Sequence, residues 1–264
     1  MLIPLQGTAW ALSADGIAAT GDKLGVCAAE IWTLLAVETS GCGYLPDRRP
    51  QICFERHIFH RLTHGKFDDG DISDPSPGGY GALGGHQYER LNLAMVKDRD
   101  GALQSASWGI GQIMGENFGL AGFKSVENFL AAMLQSEDEQ LGATADFLIS
   151  RKLHFALQAH DWTSFARRYN GPDYAINRYD QRLYAAYKTY SAGSVPDLDV
   201  RATQLYLTYL GFDPGAVDGI SGRRTLSALA DFNRRAGLAQ GNVINAELVA
   251  QLKNALPYQV AVAG

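Results

Sequence analysis

Through most of the first 190 residues, apolar side chains recur at three- and four-residue intervals, the spacing of helices with one buried face. The stretches "CAAEIWTLLAVE" (27–38), "ERHIFHRLTH" (55–64), "SVENFLAAMLQSEDEQLGATADFLI" (125–149) and "DWTSFARRY" (161–169) all carry it, while alternating strand patterns are scarce. The pattern predicts a mainly α fold. In the 161–169 helix, Asp161 is placed as the N-cap and Trp162, Phe165, Ala166 and Tyr169 as the buried stripe, with Asn170, Gly171 and Pro172 ending it. Two stretches interrupt the periodicity. Residues 64–86 hold seven glycines and two prolines, which predicts a long loop acting as a lid, with Asp68, Asp69, Asp71 and Asp74 as solvating charge. Residues 190–200, "YSAGSVPDLDV", read as a linker dividing a domain over 1–190 from a small one over 197–257.

Composition adds mostly exclusions. With 264 residues, 46% hydrophobic, the chain can bury one sizeable core and leave residues for a second domain. A net charge of -5 gives no basic field, so neither nucleic acid nor an anionic membrane is an expected partner, and monomer is the default state. Residues 196–264 hold six Lys+Arg and six Asp+Glu, leaving the whole charge on the larger part. Cys27, Cys42 and Cys53 form no CxxC pair and read as mostly buried thiols, and nothing in the pattern asks for a cofactor or metal. The N-terminus lacks a basic region, and Pro4, Gly7, Asp15 and Gly16 interrupt its apolar residues, so no signal peptide or anchor is expected.

One carboxylate stands out. Ile31, Leu34, Leu35 and Glu38 lie at i, i+3, i+4 and i+7, so Glu38 continues a core-facing stripe just before "SGCG" ends the helix. Desolvation and the negative end of the helix dipole both favour its neutral form, which a general acid requires; a Glu curling out to solvent is the plain alternative. In "SASWGIGQIMG" (105–115), glycines at 109, 111 and 115 surround Gln112 and would admit a ligand close to backbone, and Tyr169 points inward as Glu38 does. His57, His60 and His64 stand at i, i+3 and i+7, the competing zinc site of a metal-dependent amidase.

Taken in order, Glu38 ahead of Ser40-Gly41, the Gly-Gln-Ile of 111–113 in "GIGQIMG" and Tyr169-Asn170-Gly171 resemble the motifs of the lysozyme-like superfamily, in its goose-type and lytic transglycosylase branches. More closely, "RRPQICFERHIFHRLTHG", "SASWGIGQIMGENFGLAGF" and "FARRYNGPDYAINRYD" look like the phage-type N-acetylmuramidases of modular endolysins. The resemblance implies a lysozyme-like helical catalytic domain in which Glu38 protonates the glycosidic oxygen between N-acetylmuramic acid and N-acetylglucosamine. It places Gln112, Tyr169 and Asn170 along the cleft, Tyr169 fixing the acid or the N-acetyl group, with Ser107 and Trp108 shaping the floor. Glu55, by its matching position, is the first choice for a second functional acid, with an ion pair to Arg56 as its plain alternative. Attack by water would make a hydrolase and attack by the muramoyl 6-hydroxyl a lytic transglycosylase; the resemblance favours hydrolysis.

Residues 201–252 resemble the small three-helix peptidoglycan-binding domain, through Leu-Gly-Phe, Val-Asp-Gly-x-x-Gly and the Thr plus Phe spacing. Asp218, Gly219, Gly222 and Thr225 are its signature positions, read as turn and packing residues, and Asn233 stands where the family usually has Gln. A tethered wall-binding module raises the local concentration of glycan, so deleting 196–264 is expected to weaken wall affinity and leave turnover on soluble fragments. Bacterial peptidoglycan is thus the expected partner. The resemblance further implies an endolysin made in the host cytoplasm and released to the wall by a separate membrane-permeabilising protein.

Overall fold

The structure, a computed structural model, describes residues 5–38, 42–193, 195–239 and 241–257. Its elements run α1 (Ala14–Leu24), α2 (Ala28–Glu38), β1 (Ile52–Phe54), α3 (Arg56–Leu62), α4 (Gly85–Lys97), α5 (Arg99–Gln104), β2 (Ala106–Trp108), β3 (Ile113–Met114), α6 (Val126–Gln135), α7 (Glu137–Ser150), α8 (His154–Gln158), α9 (Trp162–Tyr169), α10 (Tyr179–Ser191), α11 (Leu198–Tyr209), α12 (Arg223–Ala236) and α13 (Ala246–Ala255). The fold is mainly α, with one small antiparallel sheet ordered β1-β2-β3 in which Cys53 pairs with Ser107 and Ser107 with Met114. Among the described residues, no helix is long and apolar enough to cross a membrane.

Capping decides where several helices begin. The continuous pattern over 125–149 is two helices, because Ser136 is extended and its hydroxyl accepts the Glu139 N–H, starting α7 afresh. Asp161, Asp197 and Asn245 cap α9, α11 and α13 in the same way. At Leu62 α3 stops, and His64 follows with φ +54, so the three histidines do not share a helical face. His60 Nδ1 instead lies 2.7 Å from Asp68, and no cluster of three potential metal ligands occurs among the described residues. Nor is the 64–86 loop a solvated fringe. Arg90, fully buried, donates to the carbonyls of Phe54, Asp71 and Tyr80, Ile72 and Ser73 are buried, and Asp74 lies beside Arg56. Of the three cysteines, Cys42 is buried, Cys53 half-buried and Cys27 exposed, so the expectation of buried thiols fails at Cys27.

The centre of the large domain is α2, whose Ile31, Trp32, Thr33, Leu34, Leu35 and Val37 are all buried. It is enclosed on several sides rather than along one stripe, with α10 and α1 packed against it. This brings Glu38 into the interior at the end of a central helix.

The small domain is not a loosely tethered module. Its helices α11, α12 and α13 share one apolar cluster with Ala9, Ala11, Cys42 and Tyr44 of the large domain. At its edge the Ala11 N–H donates to the Tyr206 hydroxyl at 3.1 Å, the Tyr209 hydroxyl donates to Ala9 O at 3.1 Å, and Arg48 donates to Pro257 O at 3.0 Å. Beneath these, Arg201 grips Glu137 with both terminal nitrogens, at 2.5 and 2.8 Å, and both residues are buried. The expectation that 196–264 can be removed without consequence for turnover is therefore replaced by its opposite, since removal strips one wall from a shared core and leaves Glu137 buried without its counter-charge. We expect Arg201→Met to lower unfolding free energy by about 3–5 kcal/mol, read from urea melts. We also expect the chain truncated before Asp197 to lose turnover on soluble glycan fragments, which a rate equal to that of the full chain would contradict.

Candidate active site

Glu38 occupies the last turn of α2, and residues 39–41 that follow it lie outside the described residues. Among the described residues its Oε1 is buried without a hydrogen-bond partner. Burial pushes its pKa up to about 8, with Arg182 on α10 pulling in the opposite direction; the Arg182 guanidinium also donates to the Val37 carbonyl at 2.9 Å. Arg182 went unnoticed in the sequence because its place beside Glu38 depends on α10 folding back across α2, a contact between residues 145 positions apart.

Tyr169 ends α9 against this carboxyl group, and the Glu38 charge adds to burial in raising the tyrosine well above its ordinary value. Its hydroxyl donates to Gly111 O at 2.7 Å, so its proton is committed to backbone and Tyr169 can offer Glu38 or a substrate only acceptor capacity. The Gly111 loop is thereby clamped to α9. Gln112, at φ +47, folds its side chain back, Nε2 donating to Gly109 O at 2.8 Å and Oε1 accepting from the Ser107 hydroxyl at 2.9 Å. The surrounding glycines serve packing rather than ligand approach. A Cβ on Gly109 would meet Gln140 at 2.5 Å, one on Gly111 the Thr144 hydroxyl at 2.1 Å, and one on Gly115 the Leu103 carbonyl at 2.1 Å.

Strand alternation sorts the remaining positions. Cys53 and Ser107, directly paired, face one side, and Ile52, Phe54 and Trp108 the other. Trp108 is only 1% exposed and its indole N–H donates to Leu103 O, so it supports the sheet from within the core and offers no surface to a cleft. Glu55 follows β1 on the Ser107 side. Its Oε2 lies 3.2 Å from His57 Nδ1, and burial raises its pKa against the opposing pull of His57, Tyr80 and Arg90. Its ionic neighbour is His57 rather than Arg56, whose own partners are Asp74 and Gly70 O. Tyr80, carried by the 64–86 loop, reaches Glu55 and makes that loop part of the same wall. Asn170 is exposed just beyond Tyr169. One connected line thus runs from Glu38 through Tyr169, the Gly111 loop, Gln112 and Ser107 to the side of the sheet bearing Glu55.

Residues 27–191 match the N-acetylmuramidase family, and residues 196–252 match the putative peptidoglycan binding domain. The chain belongs to the N-acetylmuramidase family. Among solved structures, the crystal structure of Burkholderia AP3 phage endolysin is similar over 73% of this chain and 73% of that one, at 35% identity and a TM-score of 0.64. No curated protein matches. The muramidase is accordingly a lysozyme-type glycoside hydrolase of the peptidoglycan-degrading endolysin class, with peptidoglycan as its partner.

A carboxyl group neutral in the fold to about pH 8 has a stability signature. The unfolded chain releases that proton near pH 4.5 while the folded one keeps it, so between those values rising pH favours unfolding, by up to about 1.4 kcal/mol per pH unit from this group. In Glu38→Gln that contribution disappears. Melts between pH 5 and 8 should show the mutant losing less stability than the wild type as pH rises, and parallel curves would place the Glu38 carboxyl in an ordinary environment.

Proposed function

We propose that Glu38 is the general acid that protonates the glycosidic oxygen of the β-1,4 bond between N-acetylmuramic acid and N-acetylglucosamine. The observation that carries this is its buried Oε1, without a hydrogen-bond partner among the described residues, on a carboxyl held neutral at physiological pH. A proton there is available to a leaving oxygen. Gln112, Tyr169, Asn170 and Ser107 would contact the sugars, with Trp108 backing the sheet behind them. Glu55 is the second functional acid in this reading, positioned by His57 and Tyr80 either to activate water or to stabilise the oxocarbenium ion.

The reaction is hydrolysis by water. In this proposal the protein is synthesised in a host cytoplasm as a monomer, passes to the wall through a membrane opened by a separate permeabilising protein, and lyses the host.

Mass spectrometry of soluble fragments released from purified peptidoglycan tests the assignment. Reducing muramic ends are expected from the wild type and none from Glu38→Gln. Anhydro-muramic ends would mean transglycosylation, and free peptide stems an amidase. Glu55→Gln should lower turnover by about a hundredfold or more if it handles a proton in the transition state; an unchanged rate would remove Glu55 from the reaction.

A further inference from the structure

A concave site lies away from the Glu38 line, a cleft of about 540 Å³ between the start of α9 and the first turns of α10. Such a volume falls within the range of roughly 300–1,000 Å³ typical of small-molecule sites. On α10 the buried stripe is Tyr179 and Leu183. At about 100° per residue, Arg182, which reaches toward Glu38, lies on one flank of that stripe, while Asp180 and Tyr184 lie on the other. The cleft and the catalytic carboxyl therefore occupy opposite sides of the same helix.

Its chemistry is specific. Tyr184 is 54% exposed, a large ring left in solvent at the rim. Trp162, 6% exposed, also lines the cleft and is held rigid, stacked on His160 at 5.6 Å between centroids and packed against Tyr187 at 5.2 Å. His160 is in turn fixed by Glu30 at 2.7 Å. Between the aromatic groups sit the carboxylates of Asp161 and Asp180, the Thr163 hydroxyl and the Gln181 amide. Asp161 accepts from the Ser164 N–H and hydroxyl, and the Thr163 hydroxyl donates to Asp180 Oδ2 at 3.5 Å, so the polar groups are held in place while their remaining lone pairs face the cleft. Two carboxylates exclude phosphate and carboxylate ligands by repulsion, whereas rings beside hydroxyl-accepting oxygens suit the apolar face and the polar edge of a pyranose.

We propose that this cleft is an accessory saccharide site that holds an uncharged N-acetylhexosamine segment of the glycan strand, separate from the cleavage site and from the small domain. The choice of glycan rests on the peptidoglycan reading above, while the cleft itself does not. A strand held there and at Glu38 is bound at two points, which slows its escape between cleavages.

The test is an NMR titration of the full-length, isotope-labelled Glu38→Gln protein with the N-acetylglucosamine tetramer, which reads binding without turnover. Saturable shifts are expected at the amides of Thr163, Gln181 and Tyr184, alongside a second set near Ser107 and Gln112. Adding Tyr184→Ala should weaken the first set about tenfold and leave the second, which also reports an intact fold. Shifts confined to the second set would overturn the proposal. So would shifts at Thr163 and Gln181 induced by an amine-bearing diaminopimelyl stem peptide and not by the tetramer. If the Ser107 set alone were missing, the catalytic reading would fail and the accessory site would stand.

Discussion

The carboxylate of Glu137 is the point through which the rest of the structure is tied together. It is fully buried, and every direction of its two oxygens is occupied: the Leu12 N–H and one Arg201 nitrogen on Oε2, the Gly43 N–H and the other on Oε1. Burial by itself raises such a group's pKa, but the Arg201 charge and these hydrogen bonds together hold it below the ordinary carboxylate value. Its four donors come from the N-terminal segment, the chain just past the catalytic helix, and the small domain. None of these contacts is local, so none forms until the pieces are assembled, and withdrawing one leaves a charge in an apolar surround. The wall-binding domain is for that reason a structural member of the catalytic unit.

Two glutamates in one molecule thus reach opposite ionisation states. Glu137 has four donors and stays charged. Glu38 has no hydrogen bond to its buried oxygen among the described residues, faces the carbonyl end of α2, and is offset only by Arg182, so it keeps its proton. The difference lies in what surrounds each carboxyl: Glu137 is wholly enclosed by donors, while Glu38, half-buried, has its Oε1 enclosed without one. An acid catalyst needs the second condition, and the enclosed position of α2 supplies it. Were α2 a surface helix with a single apolar stripe, Glu38 could turn to solvent and titrate near its ordinary value.

Much of the helical scaffold is legible from spacing alone, because apolar periodicity and N-caps are local signals: α2 and α9 are where the pattern places them. Local signals also compete, and at Ser136 the cap prevails over the unbroken apolar rhythm on either side. What escapes is the polar interior. Gln204 donates to Asp218, Ile220 and Thr225 and accepts the Asp218 and Gly219 N–H groups, ordering the signature turn of the small domain, yet on paper it is one polar residue within a helix. Arg90 and Arg201 are likewise buried, yet nothing near them in the chain announces a buried partner. Such residues are recognised only when distant carbonyls and carboxylates are seen to converge on them.

The glycines around Gln112 illustrate the opposite error, a functional-looking pattern with a packing cause. A small-residue run beside a polar residue suggests a ligand approaching backbone, but here the approaching groups are Gln140 and Thr144 of α7 and the Leu103 carbonyl. Close contact with α7 fixes the loop, the loop presents the Gly111 carbonyl, and that carbonyl takes the Tyr169 proton. Tyr169 is thereby held beside Glu38 with its donor already used, which leaves the neutral carboxyl as the only one of the two with a proton to release. The sequence motif thus reaches Glu38 through packing: its glycines shape the wall that orients Tyr169, the neighbour of that carboxyl.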